Sequence, residues 1–305
     1  MSATAGKLDP QKVRLGITPT LWWNDDFPLI DIGILFGQCV SEMALAGFQG
    51  CSVGHKYPTD PQVLKAALDL RGLRVTEPWT STYFTIKSMH ERTTTSFQTE
   101  MEFIKSMGAT EMVVAEFGQA VNPLPDVALF ANRPIFDDQQ WDALAGGLNQ
   151  LGEIANANGM RLCYHHHMGT GVMTRADVDR LMASTDPNLV HLLLDTGHMA
   201  FAGDDPLSAA QAYGERIKHV HLKSVRGDVV RRVREENLSF RDGIENGVFT
   251  VPGDGDIDFV PILDALARAN FEGWLVVEAE QDPAKANPLQ YAQMARRYLR
   301  EVLGW

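Results

Sequence analysis

Cysteine is scarce in this chain, with three in 305 residues: Cys39, Cys51 and Cys163, far apart and each in apolar surroundings. That excludes a disulfide framework and predicts reduced core thiols in a cytoplasmic protein. No apolar run approaches the roughly 20 residues that span a bilayer, so no membrane partner is expected. The opening MSATAGKLDPQKVR lacks an apolar core, which predicts no secretory signal. Positive charge is also short, with 27 Lys and Arg against 39 Asp and Glu and a net charge of −12, which argues against nucleic acid as a partner. Glycine fingerprints of nucleotide sites are missing after the first apolar run, and Gly253-Asp254-Gly255 comes too late to serve.

What is present is alternation. Short β-rich runs near 14–18, 48–53, 73–77, 111–115, 160–165, 189–194, 217–222 and 274–278 are separated by amphipathic helical stretches, with Thr174 and Asp177 reading as a capping box. Eight strand–helix pairs predict a (β/α)8 TIM barrel spanning 1–305 as a single domain. Two connections, near 117–136 and 224–256, are too long for simple βα loops and are expected to form a lid, with a structural or dimer-forming insertion as the alternative.

Four apolar runs end in metal-binding residue types: His165 after RLCY, Asp195 after VHLLL, His221 after IKHV and Glu278 after WLVV. Barrel strands deliver catalytic groups at their C-terminal ends, and mixed imidazole and carboxylate donors suit Mn, Co, Fe, Zn or Mg. In LLLDTGHMAFAGDD, Gly197 lets the backbone turn so that His198 faces the mouth beside Asp195. In KHVHLKS, period-two alternation puts His219, His221 and Lys223 on one side. The same rule gives His165 and His167 one face and His166 the other, and pairs Glu278 with Glu280, the latter orienting a ligand. His198, His167 and Lys223 are the candidates for moving protons. LWWNDDFP supplies Trp22 and Trp23 as flat walls and Asn24, Asp25 and Asp26 as hydroxyl-binding groups; Glu116, Glu77 and His55 fall at other strand ends.

LGITPTLWWNDDFP, YHHHMGTGVMT, LLLDTGHMAFAGDD, IKHVHLKSV, GVFTVPGDGDIDF and GWLVVEAEQDPAKANPLQYA together resemble the inosose dehydratases of myo-inositol catabolism, members of the xylose-isomerase-like barrels. The resemblance covers nearly the whole chain. It implies a hydro-lyase that dehydrates 2-keto-myo-inositol (scyllo-inosose) or a related keto-cyclitol with a divalent metal, manganese or cobalt foremost. Such barrels usually ligate through Glu, Asp, His and Glu; Asp195, His221 and Glu278 match the last three, and His165 stands in place of the first. Ser52, His55, Ser224 and the Thr20-Leu21 pair also depart from the pattern, at positions that set substrate selectivity. A ketose 3-epimerase or sugar isomerase working the same site is the alternative, and a non-catalytic sugar-binding barrel the remote one. A homo-oligomer stays open by analogy with such barrels.

Overall fold

The computed structural model describes residues 7–25 and 27–305; Asp26 lies outside the described residues. Strands β1 (Val13–Ile17), β2 (Gly50–Cys51), β3 (Arg74–Val75), β4 (Thr80–Thr82), β5 (Glu111–Glu116), β6 (Arg161–His165), β7 (Val190–Asp195), β8 (Ile217–Leu222) and β11 (Gly273–Val277) join in one sheet, and β9 (Ser224–Val225) pairs antiparallel with β10 (Phe249–Thr250). The large sheet is parallel throughout, in the order β3-β2-β1-β11-β8-β7-β6-β5-β4. Its strands are almost wholly buried, as the near-continuous apolar runs require of a parallel sheet covered by helices.

The eight expected strands are all present, with one difference. The third, expected at 73–77, is the short β3, and a strand that was not expected, β4, follows after residues 76–79 and sits at the opposite end of the hydrogen-bonded ladder. The sheet therefore curls round until its two ends meet across that gap. Pro78 falls in the gap, where a residue without an amide N–H cannot continue a ladder.

Helices follow the strands as the periodicity predicts, among them Phe36–Ala46, His90–Ser106, Asp138–Ala157 and Pro288–Leu303. The predicted capping box is formed: the Thr174 side chain accepts from the Asp177 amide, and the Asp177 side chain accepts from the Thr174 amide. No helix among the described residues is long and apolar enough to cross a membrane.

Both long connections rise above the C-terminal strand ends and pack on each other. The first is irregular apart from a turn of helix at Leu129–Asn132. The second is the β9–β10 hairpin enclosing helices Gly227–Glu235 and Phe240–Glu245. The amide of Leu129 donates to the Leu238 carbonyl at 3.0 Å. Phe27, Leu129, Phe201, Phe240 and Phe249 gather there in an apolar cluster separate from the barrel core. Burying each such ring contributes on the order of 2–3 kcal/mol, which holds the cap down without a covalent tie.

Candidate active site and metal centre

Four consecutive strands of the ladder, β6, β7, β8 and β11, carry the four predicted metal ligands, so their C-terminal ends are neighbours by topology. Register does the rest: Asp195 lies opposite His221, and His221 opposite Val276. The His165 Nε2 stands 3.4 Å from Asp195 Oδ2, and His221 Nδ1 stands 3.5 Å from that oxygen and 2.8 Å from Glu278 Oε2. Donor atoms of His165, Asp195, His198 and Glu278 all lie within 4.8 Å of one another, and all four residues are buried.

Asp195 has two jobs, one for each oxygen. Oδ1 accepts the His198 amide at 2.8 Å and caps the short helix Thr196–Ala202; Oδ2 faces His165, His221 and Lys223. Gly197 is required for a reason other than the expected turn. A Cβ there would sit 2.4 Å from Lys223 Cγ, so the missing side chain is the groove in which the lysine stem runs.

Lys223 is wholly buried, where lysine is ordinarily exposed. Its ammonium lies 3.2 Å from Asp195 Oδ2, 2.9 Å from Glu278 Oε2 and 2.6 Å from Glu280 Oε2, and 2.9 Å from His198 Nε2. Burial opposes its charge, but the Asp195, Glu278 and Glu280 carboxylates outweigh that and raise its pKa well above the ordinary value. Burial likewise pushes Asp195 and Glu278 up, yet the Lys223 ammonium and nearby imidazoles hold Asp195 well below the carboxylate range and bring Glu278 down to about 2. The histidines split. Burial drives His165 down to about 3 and, with the Lys223 ammonium close by, drives His198 far down, so both rings are neutral. His221 is desolvated too, but Glu278, Asp195 and Glu77 raise it above its usual value.

The residues present fit a divalent cation. Neither ring nitrogen of His165 makes a hydrogen bond although both are buried, an arrangement that costs free energy unless another partner takes them. Carboxylates of Asp195, Glu278 and Glu280 crowd round the single ammonium of Lys223, an excess of negative charge that a cation offsets.

A cavity opens beside this cluster, lined by Asn24, Asp25, Ser52, Glu77, Trp79, His167, His221, Glu278 and Glu280 among others. His167 thus reaches the cavity, while His198 and Lys223 sit behind it; the His167 and His198 rings are 3.9 Å apart between centroids. Asn24 and Asp25 are placed where the sequence predicts. Trp22 and Trp23 are not: after the 3-10 turn Pro19–Leu21 both are fully buried in the core, where the Trp22 Nε1 donates to Glu42 at 2.6 Å. The tryptophan of the mouth is Trp79, whose ring meets His165 at 5.4 Å and His167 at 5.5 Å. Glu116 also stands away from the cavity lining. Its carboxylate is filled by the hydroxyls of Thr82 and Thr85 and the amides of Phe84, Thr85 and Gly118, so it ties loops together. Sequence reasoning had no means to see Trp79, which follows a proline in the gap between β3 and β4; Glu77 was visible only as one more strand-end carboxylate.

The xylose isomerase-like TIM barrel family model matches residues 40–302. An inosose dehydratase of Geobacillus thermodenitrificans is 52% identical over 293 residues, covering 96% of this chain and 98% of that one. One from Clostridium tetani is 49% identical over 290 residues, covering 95% and 97%. Among solved structures, the IOLI protein with a bound zinc atom superposes with a TM-score of 0.71 at 17% identity, over 95% of this chain and 98% of its own.

Proposed function

The chain belongs to the xylose isomerase-like TIM barrel family and within it to the inosose dehydratases, and from that premise we propose that it removes water from 2-keto-myo-inositol, or a closely related keto-cyclitol, with a divalent metal at the barrel mouth. The observation that carries this reading is the convergence of His165, Asp195, His221 and Glu278 from adjacent strands around a buried lysine. Those four residues would hold the metal. When bound it supplies Lewis-acid polarisation of the substrate ketone, with manganese or cobalt the leading ions; zinc accompanies the IOLI relative.

The chain's own residues do the remaining work. Trp79 offers an apolar face to the substrate ring, and Asn24 and Asp25, which line the same cavity, meet its hydroxyls. His167 faces the cavity and takes the proton α to the ketone. The proton taken by His167 passes through Glu280, 3.8 Å away, to the β-hydroxyl, which leaves as water, while the Lys223 ammonium in contact with Glu280 Oε2 keeps its charge, so the protein neither gains nor loses a proton over the cycle. The cap formed by residues 224–256 lays Phe240 and Phe249 against His167, His198 and Lys223, which keeps bulk water from these groups. A single barrel domain acting on a soluble cyclitol in the cytoplasm completes the proposal.

Incubating manganese-loaded protein in D₂O with 2-keto-myo-inositol, fructose and tagatose tests it. An ultraviolet-absorbing dione from the inosose, with no deuterium entering the ketoses, is expected. Deuterium in recovered ketose without dione would make the protein an epimerase.

A further inference from the structure

Behind His221, away from the other ligands, sits a group that the reaction as described does not use. Glu77 follows β3, is 2% exposed, and stands between two imidazoles. Its Oε1 is 3.2 Å from His221 Nε2, and its Oε2 is 3.2 Å from His219 Nε2. His219 and His221 are two apart on β8, so strand alternation presents both rings on one face, and a single carboxylate spans them. The opposite edge of the His221 ring, Nδ1, is the one turned to Glu278 and Asp195.

We propose that Glu77 is a positioning residue: braced by His219, it holds the Nε2–H of His221 and thereby presents Nδ1 as the nitrogen that meets the metal. The inference rests on the reading of His221 as a metal ligand. An imidazole carries one proton when neutral, and the partner at one nitrogen decides which nitrogen keeps it. A carboxylate on Nε2 fixes the proton there, leaves the Nδ1 lone pair free and raises its basicity. Metal-ligating histidines recurrently use such a partner, and losing it costs about 10–100-fold in affinity. His219 accounts for the other carboxylate oxygen. That contact is charge pairing at 3.2 Å, and without it Glu77 could turn away from His221, since no hydrogen bond holds Oε2.

The test is titration of metal-stripped wild type, Glu77→Ala, Glu77→Gln and His221→Ala with manganese chloride by calorimetry, with circular dichroism to establish folding. Glu77→Ala is expected to bind about 10–100-fold more weakly. Glu77→Gln, whose amide oxygen still accepts from Nε2–H, is expected to recover most of the affinity. If Glu77→Ala does not fold, Glu77→Asp replaces it, since the shorter carboxylate cannot span both rings, with the same loss expected. Wild-type affinity in a folded Glu77→Ala or Glu77→Asp protein would overturn the inference. So would equal losses in Glu77→Gln and Glu77→Ala, which would make Glu77 a ligand through its own charge. If His221→Ala keeps wild-type affinity, or the wild type binds no manganese, the metal site as drawn falls and the inference falls with it.

Discussion

Replacing Lys223 by methionine keeps the length of the side chain and removes its ammonium. The stem still fits the groove left by Gly197, so the substitution tests charge and not packing. Three carboxylate oxygens, on Asp195, Glu278 and Glu280, lose a cation at 3.2, 2.9 and 2.6 Å. All three residues are buried. Stranding one partner of a buried ion pair costs about 3–5 kcal/mol. At roughly 2 °C per kcal/mol for a chain of this size, the metal-free variant should melt about 6–10 °C below wild type. Differential scanning calorimetry of chelator-treated protein reads this directly. Manganese should raise the variant's melting temperature more than the wild type's, because the added cation meets carboxylates with no ammonium beside them. A metal-free Lys223→Met protein within 1–2 °C of wild type would refute the claim that this lysine neutralises the cluster.

The two tryptophan positions should separate cleanly. Trp79→Ala is expected to raise KM by about tenfold, by the loss of roughly 1–2 kcal/mol of ring contact, at little cost in stability. Trp22→Ala should instead cost about 3–5 kcal/mol in urea unfolding and leave KM unchanged, since it lies in the core against Glu42. Gly197→Ala pushes a methyl group into Lys223 and should lower kcat at least tenfold in steady-state assays, without altering any group that touches substrate. Burial pushes the thiols of Cys51 to about 12 and of Cys39 and Cys163 well up, so Ellman's reagent should find no reactive thiol in the native protein and three after guanidinium. His191, half-buried among Lys218, Arg161 and Arg216, is pushed from 6.5 to about 4 by burial and then by those charges. Its folded form resists protonation, so stability is full above pH 6.5 and falls as pH drops from 6.5 through 4. Solvent screening at that position reduces the roughly 3 kcal/mol of full conversion to about 1 kcal/mol, and His191→Gln should flatten urea midpoints over that window by this amount.

Much of the barrel was legible because parallel strands buried on both faces must be apolar throughout, and a polar residue then marks where each one ends. That is why Asp195, His221 and Glu278 could be placed to the residue, and why alternation set His219, His221 and Lys223 on one side. β4 was not legible. The expected third strand ended at 77, before Pro78, and the three residues Thr80–Thr82 are too short a run to read as a strand resuming beyond it. Trp22 was misplaced and Trp79 passed over for a related reason. Which way an aromatic residue faces after a strand depends on the turn that follows, and a 3-10 turn of three residues has too short a pattern to read. The carboxylate of Glu116 looked like a binding group because nothing in its neighbourhood along the chain reveals the hydroxyls and amides that fill it from residues 82–85. Full burial of Lys223 was equally hidden, since the three carboxylates that make it tolerable come from two other strands.

The central claim, a metal-dependent dehydration at this mouth, is met most directly by one assay. Chelator-stripped protein is given 2-keto-myo-inositol and followed in the ultraviolet before and after manganese or cobalt is added back. No dione is expected from the stripped protein, its appearance is expected on reloading, and Glu278→Ala should show no recovery together with loss of bound metal. Dione formation by stripped protein at the reloaded rate, or a Glu278→Ala variant with full metal content and turnover, would contradict that claim.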